Sequence, residues 1–334
     1  WGNPKGNGRM ISPSRSHYQV IFHCIESASR FVPMALSPAP ALQRLRDIIP
    51  SLPAASAMAE TDDGPPTSAR HTLELVSVAA DLISHLDESS SANPLGWETL
   101  SELSRILDLL TGQLGSAVRL EKADLVRGLY VIIDPQVTGG RDPLVVAQAA
   151  IQGGARMLQL RDKLRDKGKS LPLAMGLQKL CAESGASLIL NDHADVAAIV
   201  GAAGLHVGQT DLPVEQARQV LAPDQVLGRS NHEIEELLES ERMGVDHVAF
   251  GAIYHTDTKG VGRAPQGIDQ LRLARDAAQT PLVAIGGINA ENAAPVIEAG
   301  ADALCVTAAV GLAPEPEVAA ARLVKVIEDA GGRT

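Results

Sequence analysis

Residues 188–213 read LILNDHADVAAIVGAAGLHVGQTDLP. Two apolar runs, Leu188-Ile189-Leu190 and Leu205-His206-Val207, have the length of short buried strands. The first runs straight into Asn191-Asp192, the second into Gly208-Gln209-Thr210-Asp211. Asp192 and Asp211 lie 19 residues apart (211 − 192), the length of one strand–helix unit. That spacing makes the two strands parallel neighbours, with both carboxylates at the same end of the sheet.

The same unit repeats outward in both directions. Short β-type runs stand at 129–134 (LYVIID), 155–160 (ARMLQL), 187–191, 204–208, 225–230 (QVLGRS), 246–251 (DHVAFG), 281–287 (PLVAIGG) and 303–307 (ALCVT). Ala-rich helical patterns fill the gaps, and several end in Gly, as a helix C-terminus should. Eight such units in about 205 residues predict an α/β fold, a closed (β/α)8 TIM barrel over 123–334. No GxGxxG follows the first strand, which speaks against an open dinucleotide-binding sheet.

Residues 1–122 have a different texture. Pro, Ser and Ala dominate 1–69, a composition that predicts a low-order segment. Within 70–122, two stretches repeat apolar residues near a 3.6-residue period and predict an accessory helical hairpin. The barrel is thus expected to follow a partly disordered, helical N-terminal region.

Reactive groups of such barrels gather at the C-terminal ends of the strands. Read that way, the mouth holds Gln159, Arg161 and Lys163 after the second strand and Asn191 and Asp192 after the third. It adds Asp211 after the fourth, Ser230 and His232 at the fifth, and Thr256, Thr258 and Lys259 after the sixth. Gly286 and Gly287 close the seventh strand, and Val306 and Thr307 the eighth. Two neighbouring carboxylates repel each other, and a hard cation such as Mg²⁺, which takes oxygen ligands, relieves that. Either Asp alone also fits a helix cap. Arg161, Lys163 and Lys259 suit a di- or triphosphate beside the cation, whereas Arg165, Lys167 and Lys169 read as solvent-facing. The two glycines, and Thr307 just before the last helix, suit a second anion at the usual phosphate corner of the fold.

Composition narrows the partners. Net charge is −11 and the sequence pI is about 5.3, a poor basis for nucleic-acid binding. No stretch reaches the roughly 18 apolar residues of a membrane span, and no secretory signal pattern opens the chain. Cys24, Cys181 and Cys305 are scattered, without the spacing of a zinc site or disulfide frame, and predict reduced thiols in the cytoplasm.

The segments LYVIID, QLRDK, NDHADVA, GLHVGQTDLP, GRSNH, FGAIYHTDTKG and VAIGGI occur in order. Together they resemble the thiamine-phosphate synthase family over about residues 125–330. The resemblance implies a transferase with two small phosphorylated heterocyclic substrates. Hydroxymethylpyrimidine diphosphate and hydroxyethylthiazole phosphate would give thiamine phosphate and pyrophosphate. Carried over by residue, it implies that Gln159, Arg161, Lys163 and Asn191 hold the pyrimidine diphosphate and that Asp192 and Asp211 bind Mg²⁺. Ser230 and Lys259 would contact the diphosphate, acting in catalysis with Arg161 and Lys163. Thr256, Thr258, Gly287, Val306 and Thr307 would receive the thiazole phosphate. The implied mechanism is dissociative and needs no strong base, so His193 and His232 read as supporting or helix-start residues. The related thiazole tautomerases would carry a His where Ala252 stands; a non-catalytic pathway sensor is the other alternative. The oligomeric state stays open, a homo-oligomer included.

Overall fold

A computed structural model describes residues 20–22, 24–25, 28, 68–88, 96–123, 125–256 and 264–334. The chain divides into two compact units, Trp1–Val118 and Arg119–Thr334.

In the first unit, helix α1 spans Ala69–Glu88 and helix α2 starts at Gly96 and runs to Ala123. Leu73, Val76, Ala79 and Ile83 form the buried stripe of α1, while Val78 faces solvent. Leu100, Leu103, Leu107, Leu110 and Leu114 form that of α2, at the spacing of one helix face. Residues 20–22, 24–25 and 28 are helical as well, and Ile21, Ile25 and Ala28 join the same core. Those helical residues lie within the segment whose composition suggested low order; their apolar spacing is outweighed there by the Pro- and Ser-rich sequence that follows.

The second unit is a closed parallel barrel, β1 to β8 in chain order. The strands are β1 (Gly128–Ile133), β2 (Met157–Leu160), β3 (Ser187–Asn191) and β4 (Gly204–Val207). They continue with β5 (Val226–Asn231), β6 (His247–Gly251), β7 (Leu282–Ile285) and β8 (Ala303–Val306). Between them stand α3 (Pro143–Gln152), α4 (Lys167–Ser184), α5 (Ala194–Val200), α6 (Val214–Val220), α7 (Ile234–Arg242), α8 (Gly267–Ala277) and α9 (Ala294–Glu298). After β8 come α10 (Ala308–Gly311) and α11 (Pro316–Asp329).

Alternation along each strand sorts side chains to two cores. Leu129, Val131, Leu158, Leu188, Leu190, Leu205, Leu227, Val248, Phe250 and Leu304 face the helices and are buried. Each such side chain is worth roughly 1.5–3 kcal/mol of burial. Tyr130, Ile132, Met157, Ile189, Val226, Ala249, Val283 and Cys305 point into the barrel. Ring closure is tight: a Cβ on Gly153, just past α3, would lie 2.4 Å from the Glu317 carbonyl of α11.

Local chemistry sets the element ends. Asp142 caps α3 by accepting from the Leu144 N–H at 2.9 Å, with Pro143 at the first helical position. Gly185 and Gly201 end α4 and α5 in the left-handed conformation. One expectation needs correction. Thr307 precedes a single turn, α10, and not the last helix. Pro314 and Pro316 follow that turn, and a Cβ on Gly311 would lie 2.1 Å from the Val137 carbonyl.

Candidate active site

The C-terminal mouth of the barrel opens onto a cavity of about 130 Å³. Arg161, Ser230, Thr256, Gly287, Val306 and Thr307 line it, six of the residues that the family resemblance assigns to substrate, together with His232 and Gly286. A smaller recess of about 20 Å³, room for roughly one water, lies among Gln159, Arg161, Asn191 and Ser230. Thr258 and Lys259 lie outside the described residues.

On one side stand the two carboxylates. Asp192, just past β3, has φ of +63°, a conformation few non-glycine residues adopt and one often found at functional sites. Its N–H donates to the His206 carbonyl at 2.9 Å, which extends the β3–β4 pairing by one bond. Lys163 forms an ion pair with its carboxylate. Burial pushes the Asp192 carboxyl above the usual range, the neighbouring Asp211 pushes it further, and Lys163 opposes both. Asp211 also accepts from the Gly208 N–H at 2.7 Å. Neither acid is a helix cap: α5 and α6 have His193 and Pro213 at their cap positions, with no side-chain cap bond. Among the described residues no three His, Cys, Asp or Glu side chains converge as a closed metal site. Two adjoining carboxylates, one already resisting ionisation, nevertheless suit a hard cation that draws its other ligands from water and substrate.

Arg161 donates to the Asp134 carboxylate at 2.6 Å. Asp134 is only 3% exposed and lies just past β1, so it holds the guanidinium in place. Gln159 donates to the Tyr130 hydroxyl at 2.7 Å inside the barrel. The Ser230 hydroxyl lies 2.9 Å from His206 Nε2, and its backbone carbonyl accepts from Gln209 at 2.7 Å. Asp134, Tyr130, Gln209 and His206 are contributors that the sequence reading did not single out. Each is a polar group ending or interrupting an apolar run, the same signal that exposed Asp192.

Across the mouth, Gly286 and Gly287 have φ of +100° and +67°. A Cβ there would lie 2.4 Å from the Ala252 side chain or the His255 carbonyl, so only glycine lets the loops after β6 and β7 meet. Ala252 lines the cavity. His232 Nδ1 donates to the Gly251 carbonyl at 2.6 Å and its N–H to Glu236 at 2.7 Å, a linking role at the start of α7. Of the charged run after β2, Lys167 pairs with Asp195 and Lys169 with Asp166 at exposed positions, whereas Arg165, expected to face solvent, is half-buried against Asp162.

Comparison with known proteins agrees with this geometry. The family model described as thiamine monophosphate synthase matches residues 129–310. The thiamine-phosphate synthase of Shouchella clausii is 42% identical over 202 residues, 60% of this chain and 97% of that protein. That of Moorella thermoacetica is 41% identical over 205 residues, 61% of this chain and 98% of that protein. Among solved structures, a thiamine phosphate pyrophosphorylase from Pyrococcus furiosus superposes with a TM-score of 0.58 at 32% identity, covering 63% of this chain and all of that one. The match takes in all eight strands but the first residue of β1, together with the mouth they carry, and the chain belongs to the thiamine monophosphate synthase family.

Proposed function

We propose that the barrel condenses hydroxymethylpyrimidine diphosphate with hydroxyethylthiazole phosphate, forming thiamine phosphate and releasing pyrophosphate. The observation that carries this reading is the split of the mouth. Paired carboxylates with Arg161 and Lys163 stand on one side, and a glycine-lined corner beside Thr307 on the other. That division suits a diphosphate held with the help of a hard cation and a separate monophosphate.

In this reading Arg161, Lys163 and Ser230 grip the diphosphate, joined by Lys259, and Gln159 and Asn191 orient the pyrimidine. Asp192 and Asp211 hold Mg²⁺, which when bound supplies positive charge against the departing diphosphate. The pyrimidine-methyl C–O bond breaks first and both its electrons leave with pyrophosphate. The amino-pyrimidine ring delocalises the resulting cation, and the thiazole nitrogen forms the C–N bond with its own lone pair. No base has to remove a proton from that nitrogen, which matches a wall of cations, amides and hydroxyls. Thr256, Thr258, Gly287, Val306 and Thr307 hold the thiazole phosphate so that the nitrogen faces the cation. Ala252, where the tautomerase resemblance expects a His, weighs against isomerisation as the main activity.

The test is pyrophosphate release on mixing the full chain with both substrates, with and without Mg²⁺. Release should require all three. Thiazole phosphate binding without release would overturn the reading in favour of a sensor or tautomerase.

The first unit is proposed to be an accessory with no part in the chemistry. Among the described residues no helix is long and apolar enough to cross a membrane. We place the reaction in the cytoplasm on the strength of the scattered buried thiols of Cys24, Cys181 and Cys305.

A further inference from the structure

A column of polar rings crosses the barrel interior beneath Ser230. His247, the first residue of β6, is fully buried, and its imidazole fills the space left by Gly228 on β5. A Cβ on Gly228 would lie 2.0 Å from His247 Nε2, so any side chain there expels the ring. His206 on β4 stacks on His247 with ring centres 5.8 Å apart and planes inclined by 29°. His206 is itself 7% exposed, and its Nε2 reaches the Ser230 hydroxyl at 2.9 Å. Gln209 fixes the other side of Ser230 through its backbone carbonyl.

A hydroxyl has one proton to donate and lone pairs to accept with. A diphosphate oxygen offers only lone pairs, so Ser230 grips it only by donating. If His206 Nε2 lacked a proton, the serine proton would turn inward and two sets of lone pairs would face each other. If Nε2 carries it, Ser230 accepts from below and its own proton points into the mouth.

We infer that His206 is a positioning residue for the coupling reaction, holding its proton on Nε2 so that the Ser230 hydroxyl donates to the substrate diphosphate. The inference rests on the reading of Ser230 as a diphosphate contact. The stack on His247 keeps the His206 ring at the angle that aims Nε2 at Ser230, and Gly228 makes room for the stack. His206 touches no substrate in this scheme; it acts through the serine.

The test is a double-mutant cycle on the full chain, read as pyrophosphate release with kcat and KM for the pyrimidine diphosphate. Ser230→Ala removes the donor. His206→Phe keeps a ring on His247 and removes the bond to Ser230. His206→Gln brings an amide N–H to about the place of Nε2. Ser230→Ala and His206→Phe should each lower kcat/KM by about ten- to a hundredfold. The double variant should fall less than about twofold below Ser230→Ala, and His206→Gln should stay within about threefold of the parent. Should the phenyl ring prevent folding, His206→Asn, whose amide stops short of Ser230, carries the same expectation as His206→Phe. A normal rate in His206→Phe alongside a damaged Ser230→Ala would overturn the inference alone, as would losses that multiply in the double variant. A normal rate in Ser230→Ala would overturn the reading of the serine, and the inference with it.

Discussion

At Asp192 three effects meet on one carboxyl group. The backbone holds it at positive φ, burial and Asp211 disfavour its charge, and Lys163 favours it. Burial and Asp211 make the charged form costlier than in water, and a bound Mg²⁺ would offset that cost. Asp192→Asn keeps the shape and removes the charge, so the proposed Mg²⁺ site would lose one of its two carboxylates. Turnover should fall by about two orders of magnitude or more, and the remaining activity should need far more Mg²⁺ to saturate. A Mg²⁺ titration of initial rates checks this. An unchanged half-saturation concentration together with an unchanged rate would remove the metal from Asp192.

At the scale of strands and helices, the period-2 and period-3.6 patterns carried most of the fold. All eight strands fall within two residues of the positions read from the apolar runs. Where an end moved, a local bond explains it: Ala155 is excluded from β2 because its N–H still serves the helix before it, bonding the Ala150 carbonyl at 3.0 Å. Gly286 and Gly287 leave β7 because their positive φ values break extended geometry. Mouth residues were legible where an apolar run ends in a charge, as at Asp192 and Asp211. Partners inside the barrel were less so, because their roles depend on contacts between strands far apart in sequence. Tyr130 and Gln159 come from 29 positions apart, and His206 and Ser230 from 24. His247 shows what such hidden contacts do to stability. Burial drives its imidazole down to about 4 from the ordinary 6.5. Between those values the unfolded chain takes up a proton that the folded chain refuses. Stability is therefore full above pH 6.5 and declines as the pH falls toward 4, by about 3 kcal/mol from this one group. His247→Leu should flatten that part of the profile. Urea midpoints for parent and variant at pH 7 and pH 4.5 check it, and equal losses in both proteins would show that the ring does not cause the slope.

For the whole molecule, the question is whether chemistry belongs to one unit or two. The described parts of the first unit build their own apolar core from α1, the N-terminal part of α2 and the residues near Ile21. The barrel has separate inner and outer cores, none of whose members comes from before Ala123. Relatives covered almost end to end by the match span only about 60% of this chain, so a barrel of that size suffices in those proteins. The proposed site draws every contributor from 130–307, from Tyr130 to Thr307. A chain restricted to 119–334 should therefore fold and keep kcat/KM within about threefold of the full protein, since its core and its mouth are both intact. Circular dichroism and pyrophosphate release on the same preparation check this. A folded barrel without activity would give the first unit a direct part in catalysis; an insoluble one would give it a part in stability.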